Sequence, residues 1–110
     1  MIWNIEILAK PQRADADAMA LLPLFSRELS KWAARFKESS LRGNVLDAVR
    51  ACHKMRGSAA TFGFTLLADQ LLETEILMKN GTIVPSTVSS AMTSIANRIA
   101  QFSETSPLTI

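Results

Sequence analysis

One pattern recurs along most of this chain. Leu22, Phe25, Leu29, Trp32 and Phe36 follow each other at alternating three- and four-residue steps, with Arg27, Glu28, Lys31, Arg35 and Lys37 between them. That is the period of an amphipathic helix, here of about four to five turns, with one apolar stripe and charge on the opposite face. A second stripe reads Val45, Val49, Cys52, Met55, Ala59 and Phe62, and a third reads Leu67, Leu71 and Met78. The last, Val88, Met92, Ile95, Ile99 and Phe102, repeats at four, three, four and three residues.

Turn chemistry separates the stripes. Asp15 or Asp17 suits a helix N-cap before the short apolar run 18–22, and Pro23 suits a first helical turn, so a short helix precedes the first long one. Residues 39–44 end on Asn44, with Asp47 three places further on, the arrangement of a capping box. Gly63 breaks the next helix, Asn80-Gly81 closes one expected over about 64–80, and Ser86 after Pro85 caps the last. From Ser103 the chain is polar and contains proline, as a frayed end does. Residues 1–9 fit a strand-like arm or a further helical turn equally well.

Short connections between long helices make sequential neighbours antiparallel. The expected fold is therefore all-α, an antiparallel up-and-down four-helix bundle with a short additional N-terminal helix lying over one end. A single domain is expected over 1–110, with an N-terminal arm at 1–13, a helical bundle over about 14–103 and a flexible tail at 104–110.

Composition narrows the functions open to such a domain. With 110 residues there is room for one core, and not for a nucleotide-binding catalytic domain beside it. The 48% hydrophobic and 20% charged residues, with four glycines and four prolines, belong to a folded domain. A formal net charge of +2 is too small for an electrostatic nucleic-acid footprint. No stretch approaches the roughly 20 apolar residues of a membrane span, and Glu6 interrupts a start that also lacks the basic opening of a signal peptide. The lone Cys52 excludes an internal disulfide and a multi-cysteine zinc site and points to a reducing compartment. The expectation is a soluble, cytoplasmic monomer with no metal site, binding neither nucleic acid nor membrane. Met1 suggests a freestanding protein, the alternative being one domain of a larger kinase.

The chain has one histidine, His53, in the middle of the second long helix. At about 100° per residue it lies roughly a quarter to a third of a turn from the stripe centred on Val49, Cys52 and Ala59. An imidazole there rests one side on the bundle and turns one nitrogen to solvent, which suits a nucleophile better than a core filler. Gly57 follows one turn later on the same face, where a helix-interior glycine costs about 1 kcal/mol against alanine. Clearance for another protein's surface and close helix–helix packing explain it equally well. Between Asp47 and Asp69 there is no acidic residue, while Arg50, Lys54 and Arg56 fall in that interval. Such charges can neutralise a phosphoryl group, although three basic residues on a helix face are by default a solvated surface.

Taken together, His53-Lys-Met-Arg-Gly-Ser-Ala-Ala-Thr-Phe-Gly63 resembles the signature of the histidine phosphotransfer (HPt) family, usually His-x-Leu-Lys-Gly-Ser-Ala with a glycine soon after. The stretch Thr61-Phe-Gly-Phe-Thr-Leu-Leu67 is also similar to the phosphotransfer domain of the chemotaxis histidine kinase. The resemblance implies that His53 is the phosphoacceptor, that Arg56 and Lys54 stabilise the phosphate, and that Gly57 gives the partner access. It implies too that Glu75 hydrogen-bonds the ring nitrogen that is not phosphorylated. An acceptor beside Nδ1–H leaves the lone pair on Nε2, so Glu75 would set the tautomer. Without His53 opposite, Glu75 would read as a surface carboxylate. Two positions depart from the family: Arg56 replaces its common lysine, and Thr74 stands where an apolar residue often precedes the glutamate.

No Walker motif, kinase glycine loop or metal-ligand cluster is present, so no autonomous enzyme is expected. The resemblance implies a phosphocarrier with no cofactor of its own. Its partners would be receiver domains of a hybrid sensor histidine kinase and of a response regulator, each supplying the aspartyl phosphate and the Mg²⁺ site. A second reading is a module of the same fold that docks on a kinase or receiver and regulates it without phosphotransfer.

Overall fold

The computed structural model of the chain describes residues 2–13 and 15–104, which are all-helical, with six helices and no strand. They are α1 (Ile5–Leu8), α2 (Ala16–Ala20), α3 (Leu22–Leu41), α4 (Val45–Thr61), α5 (Thr65–Lys79) and α6 (Ser86–Glu104). No helix among the described residues is long and apolar enough to cross a membrane.

Local chemistry accounts for most of the boundaries. Asp15 caps α2 by accepting from the Ala18 amide at 2.8 Å. Asn44 caps α4 through the Asp47 amide at 3.0 Å. The reciprocal half of that capping box is missing, because the Asp47 carboxylate turns to α3. Gly63 and Gly81 follow α4 and α5 with φ of +85° and +77°, values that favour glycine. Residues 1–9 include a helical turn: Asn4 accepts from the Ile7 amide at 3.1 Å and starts α1. Of the tail expected over 104–110, residues 105–110 lie outside the described residues. Ser103, expected to fray, is helical and buried instead.

The long helices pack α3 on α4, α4 on α5, and α3 on α6, while α5 and α6 approach each other less closely. Asp47 at the start of α4 meets Arg35 and Ser39 near the end of α3, so these two run antiparallel. The α4–α5 pair closes through a tight turn in which the Phe64 amide donates to the Ala59 carbonyl at 2.8 Å. Phe25, Leu29, Phe36, Cys52, Met55, Leu67, Leu71, Met92, Ile95 and Ile99 are all but fully buried in one core. Phe25 stacks against Phe64 at 4.5 Å and Phe62 at 5.3 Å between ring centres. Val45 and Phe102, both expected on core stripes, are each 43% exposed. They lie at helix ends, where periodicity still gives the correct face but the neighbouring helix no longer covers it.

The N-terminal segment fastens the α4–α5 turn. The Gln12 amide donates to the Gly63 carbonyl at 2.9 Å, and Gln12 Oε1 accepts from the Thr65 hydroxyl and the Leu66 amide, each at 3.1 Å. Gln12 thereby caps α5, whose own N-cap residue, Phe64, makes no side-chain cap. A side chain at Gly63 would bring its Cβ within 2.7 Å of the Arg13 Cβ, so that glycine serves the approach of this segment.

Candidate functional site

Cys52 and Glu75 register the middle of α4 against the middle of α5. The Cys52 thiol, facing the core, donates to the Leu71 carbonyl at 3.4 Å, and burial foremost, then the Glu75 charge, pushes it up to about 12. That thiol is a packing group at neutral pH. One residue on, the backbone turns His53 out of the core, and its side chain is 57% exposed. The position on the flank of the stripe is the one its helical phase predicts.

Glu75 reaches His53 from α5. Its side chain is only 5% exposed, with Oε1 lying 3.1 Å from His53 Nδ1. Lys79, one turn along α5, donates to Oε2 at 2.9 Å, and Arg56 Nε donates to Oε1 at 3.4 Å. Burial opposes the charge on Glu75, but the hydrogen bond from Lys79 first, and the contact with His53 after it, outweigh it and hold the carboxyl below its ordinary range. The neighbouring Thr74 is buried, and its hydroxyl is satisfied by the Gln70 carbonyl at 2.8 Å, so this polar departure leaves Glu75 in register with His53.

Arg56 bends back along α4, placing a terminal guanidinium nitrogen (Nη2) 2.9 Å from His53 Nδ1. His53, Arg56 and Glu75 thus form one cluster. Lys54 is not in it; this exposed side chain lines the two open grooves that flank the imidazole. One groove, of about 420 Å³, is bounded by His53, Lys54, Gly57, Ser58, Thr61 and Phe62. The other, of about 300 Å³, is lined by the apolar Leu46 and Val49 and the cationic Arg50, Lys54 and Lys79, together with His53 and Glu75.

Gly57 faces the first groove. It is exposed, and a Cβ built there would meet no atom within 4 Å. Close helix–helix packing therefore does not explain this glycine.

Lys79 is the cluster member that a reading centred on α4 passes over. Its signal is the four-residue spacing from Glu75, which pairs opposite charges along a helix. Among the described residues, no three His, Cys, Asp or Glu side chains gather where a metal ion could be held. Chemically, the arrangement offers an accessible ring nitrogen, an ionised carboxylate behind the ring and a surrounding field of cations.

Comparison of the chain with protein-family models, with curated proteins and with solved structures returns no match.

Proposed function

We propose that this chain is a histidine phosphotransfer module built as an up-and-down four-helix bundle of α3 to α6, with α1 and α2 over one end. It accepts a phosphoryl group on His53 from a receiver-domain aspartate and passes it to another receiver. The observation that carries this reading is the pairing of an exposed mid-helix imidazole with a buried carboxylate at its Nδ1. An exposed helical glycine that no internal contact requires stands beside that pair.

In the reactive form Nδ1 carries the proton and donates to Glu75, leaving the Nε2 lone pair free. That lone pair forms the N–P bond while the P–O bond of the receiver's acyl phosphate breaks, and the electron pair leaves with the receiver's carboxylate. Nδ1 keeps its proton, and the positive charge on the phosphorylated ring faces Glu75. Arg56 and Lys54 supply charge for the phosphoryl oxygens, while the receiver contributes Mg²⁺ and in-line geometry. The chain itself is a carrier and not an autonomous enzyme, acting as a cytoplasmic monomer between the receivers of a hybrid kinase and a response regulator.

Incubation with a phosphorylated receiver tests this. The expected result is an acid-labile, base-stable label on the chain that His53→Gln abolishes; undiminished label in that variant would overturn the assignment. A module that only docks would bind the receiver and acquire no label from any cognate partner.

A further inference from the structure

His53 Nδ1 stands within hydrogen-bond distance of two groups with opposite demands. Glu75 Oε1, at 3.1 Å, is an ionised acceptor; Arg56 Nη2, at 2.9 Å, can only donate. A neutral imidazole carries one proton, on one nitrogen or the other, so only one of these bonds exists at a time. With the proton on Nδ1, the ring donates to Glu75 and Nε2 is nucleophilic. With the proton on Nε2, Arg56 donates to Nδ1 and the outward nitrogen has no lone pair to offer.

The guanidinium is placed to favour the second state. Its Nε points to Glu75 Oε1 at 3.4 Å while Nη2 meets Nδ1, so two adjacent donors span the carboxylate and the ring. Oε1 and Nδ1, 3.1 Å apart, then each have a donor of the same guanidinium within reach. A lysine ammonium, as a single point charge, lacks this paired, planar fork. Lys79 holds Oε2 separately at 2.9 Å, so only Oε1 is in dispute. The remaining cations around the ring, Arg50 and Lys54 of α4, attract an anion without reaching Nδ1.

We propose that Arg56 is a positioning residue that rests His53 in its unreactive Nε2–H tautomer until an incoming phosphoryl group draws the guanidinium away. The anion takes over the Arg56 donors, Nδ1 is freed, and Glu75 captures the Nδ1–H form. In that exchange Nε2 gives one proton to water and Nδ1 takes one from water, so nothing is gained or lost. His53 becomes nucleophilic when a phosphoryl donor is present. This rests on the carrier reading above.

Because the chain has a single histidine, nitrogen NMR of ¹⁵N-labelled protein reports this ring alone. Spectra are compared at a pH raised until the ring signals change no further, so that only the neutral forms are read. Wild type is expected to be mostly Nε2–H. Arg56→Met, which keeps the aliphatic stem, is expected to swing the tautomer ratio by about tenfold or more toward Nδ1–H, the scale of one charge-assisted hydrogen bond. Arg56→Lys, which keeps the charge and loses the fork, is expected to behave like Arg56→Met. Inorganic phosphate should move wild type toward Nδ1–H and leave Arg56→Met unchanged.

A wild type already fully Nδ1–H, or an unchanged ratio in Arg56→Met, overturns the proposal. A wild-type ratio in Arg56→Lys overturns the role of the fork, and no response of wild type to phosphate overturns the trigger. None of these spectra requires phosphotransfer. Failure here therefore leaves the labelling test intact, and absent labelling beside a normal tautomer swing counts against the carrier reading alone.

Discussion

Two carboxylates on this hairpin of helices are surrounded by cations, and they do different things. Asp47, at the start of α4, accepts from Arg35 at 2.9 and 3.1 Å and from the Ser39 hydroxyl, with Arg42 at 4.0 Å. Every partner there is a donor and every demand agrees, so a single arrangement satisfies them all. The bond from Arg35 first, then that from Ser39, holds its carboxyl down at about 2. Glu75 also gathers Lys79 and Arg56, but it shares with Arg56 the one ring nitrogen of His53. Those demands conflict. An agreeing cluster fastens α3 to α4, whereas a conflicting one leaves a proton with two places to sit.

The largest expected effect separates chemistry from architecture. His53→Gln should remove all label from a phosphorylated receiver while leaving the unfolding midpoint within the narrow range typical of exposed substitutions, about 0.5 kcal/mol. Glu75→Gln comes next. It keeps the shape and removes the charge that faces the ring, a hydrogen bond worth about 1.5–3 kcal/mol when charge-assisted. At tenfold per about 1.4 kcal/mol, single-turnover labelling should slow by roughly 10- to 100-fold. Equal rates for wild type and Glu75→Gln would reduce Glu75 to a structural partner of Lys79.

The Asp47 cluster should answer to acid and not to phosphate. Its carboxyl is depressed from 3.8 to about 2 in the folded chain. The stabilisation this gives is complete above pH 3.8 and is lost as pH falls toward 2, because the unfolded state then binds the proton more readily. Urea midpoints between pH 5 and 2 should fall for wild type and fall less steeply in Asp47→Asn, where the other depressed carboxyls still titrate. Ser39→Ala, which removes a fully buried hydroxyl and spares the Arg35 pair, should cost about 1 kcal/mol near neutral pH. Labelling rates in both variants should match wild type. A transfer defect in Asp47→Asn would erase the contrast between the two clusters.

How much of this is legible in the sequence follows the range of each interaction. The helices are, because caps and stops such as Asp15, Asn44, Gly63 and Gly81 act within a few residues of where they stand. The pairing of His53 with Glu75 is legible through the resemblance, and its phase on α4 follows from the stripe beside it. The Gln12 cap on α5 is not, since its partners lie 53 and 54 positions away and only tertiary packing brings them together. Arg56 can be read as a positive charge near His53, but spacing does not say which rotamer turns the guanidinium onto Nδ1. Val45 and Phe102 fail for a related reason: periodicity gives a direction around the helix and says nothing of where the neighbouring helix stops.

The smallest expected change tests Gly57 as a point of clearance, through two effects of opposite sign. Its backbone is helical and a Cβ there would point into open space, so Gly57→Ala removes backbone freedom from the unfolded chain and introduces no clash. Stability should rise by about 1 kcal/mol, seen as a higher urea midpoint. The same methyl stands in the groove beside His53 that a receiver would enter, where overpacking costs about 1–3 kcal/mol. Labelling should therefore slow by about tenfold in a protein that is more stable than wild type. A glycine that gives no partner access would yield a stabilised variant at full rate. A slower rate in a sturdier chain has one source, a surface that must stay open for another molecule.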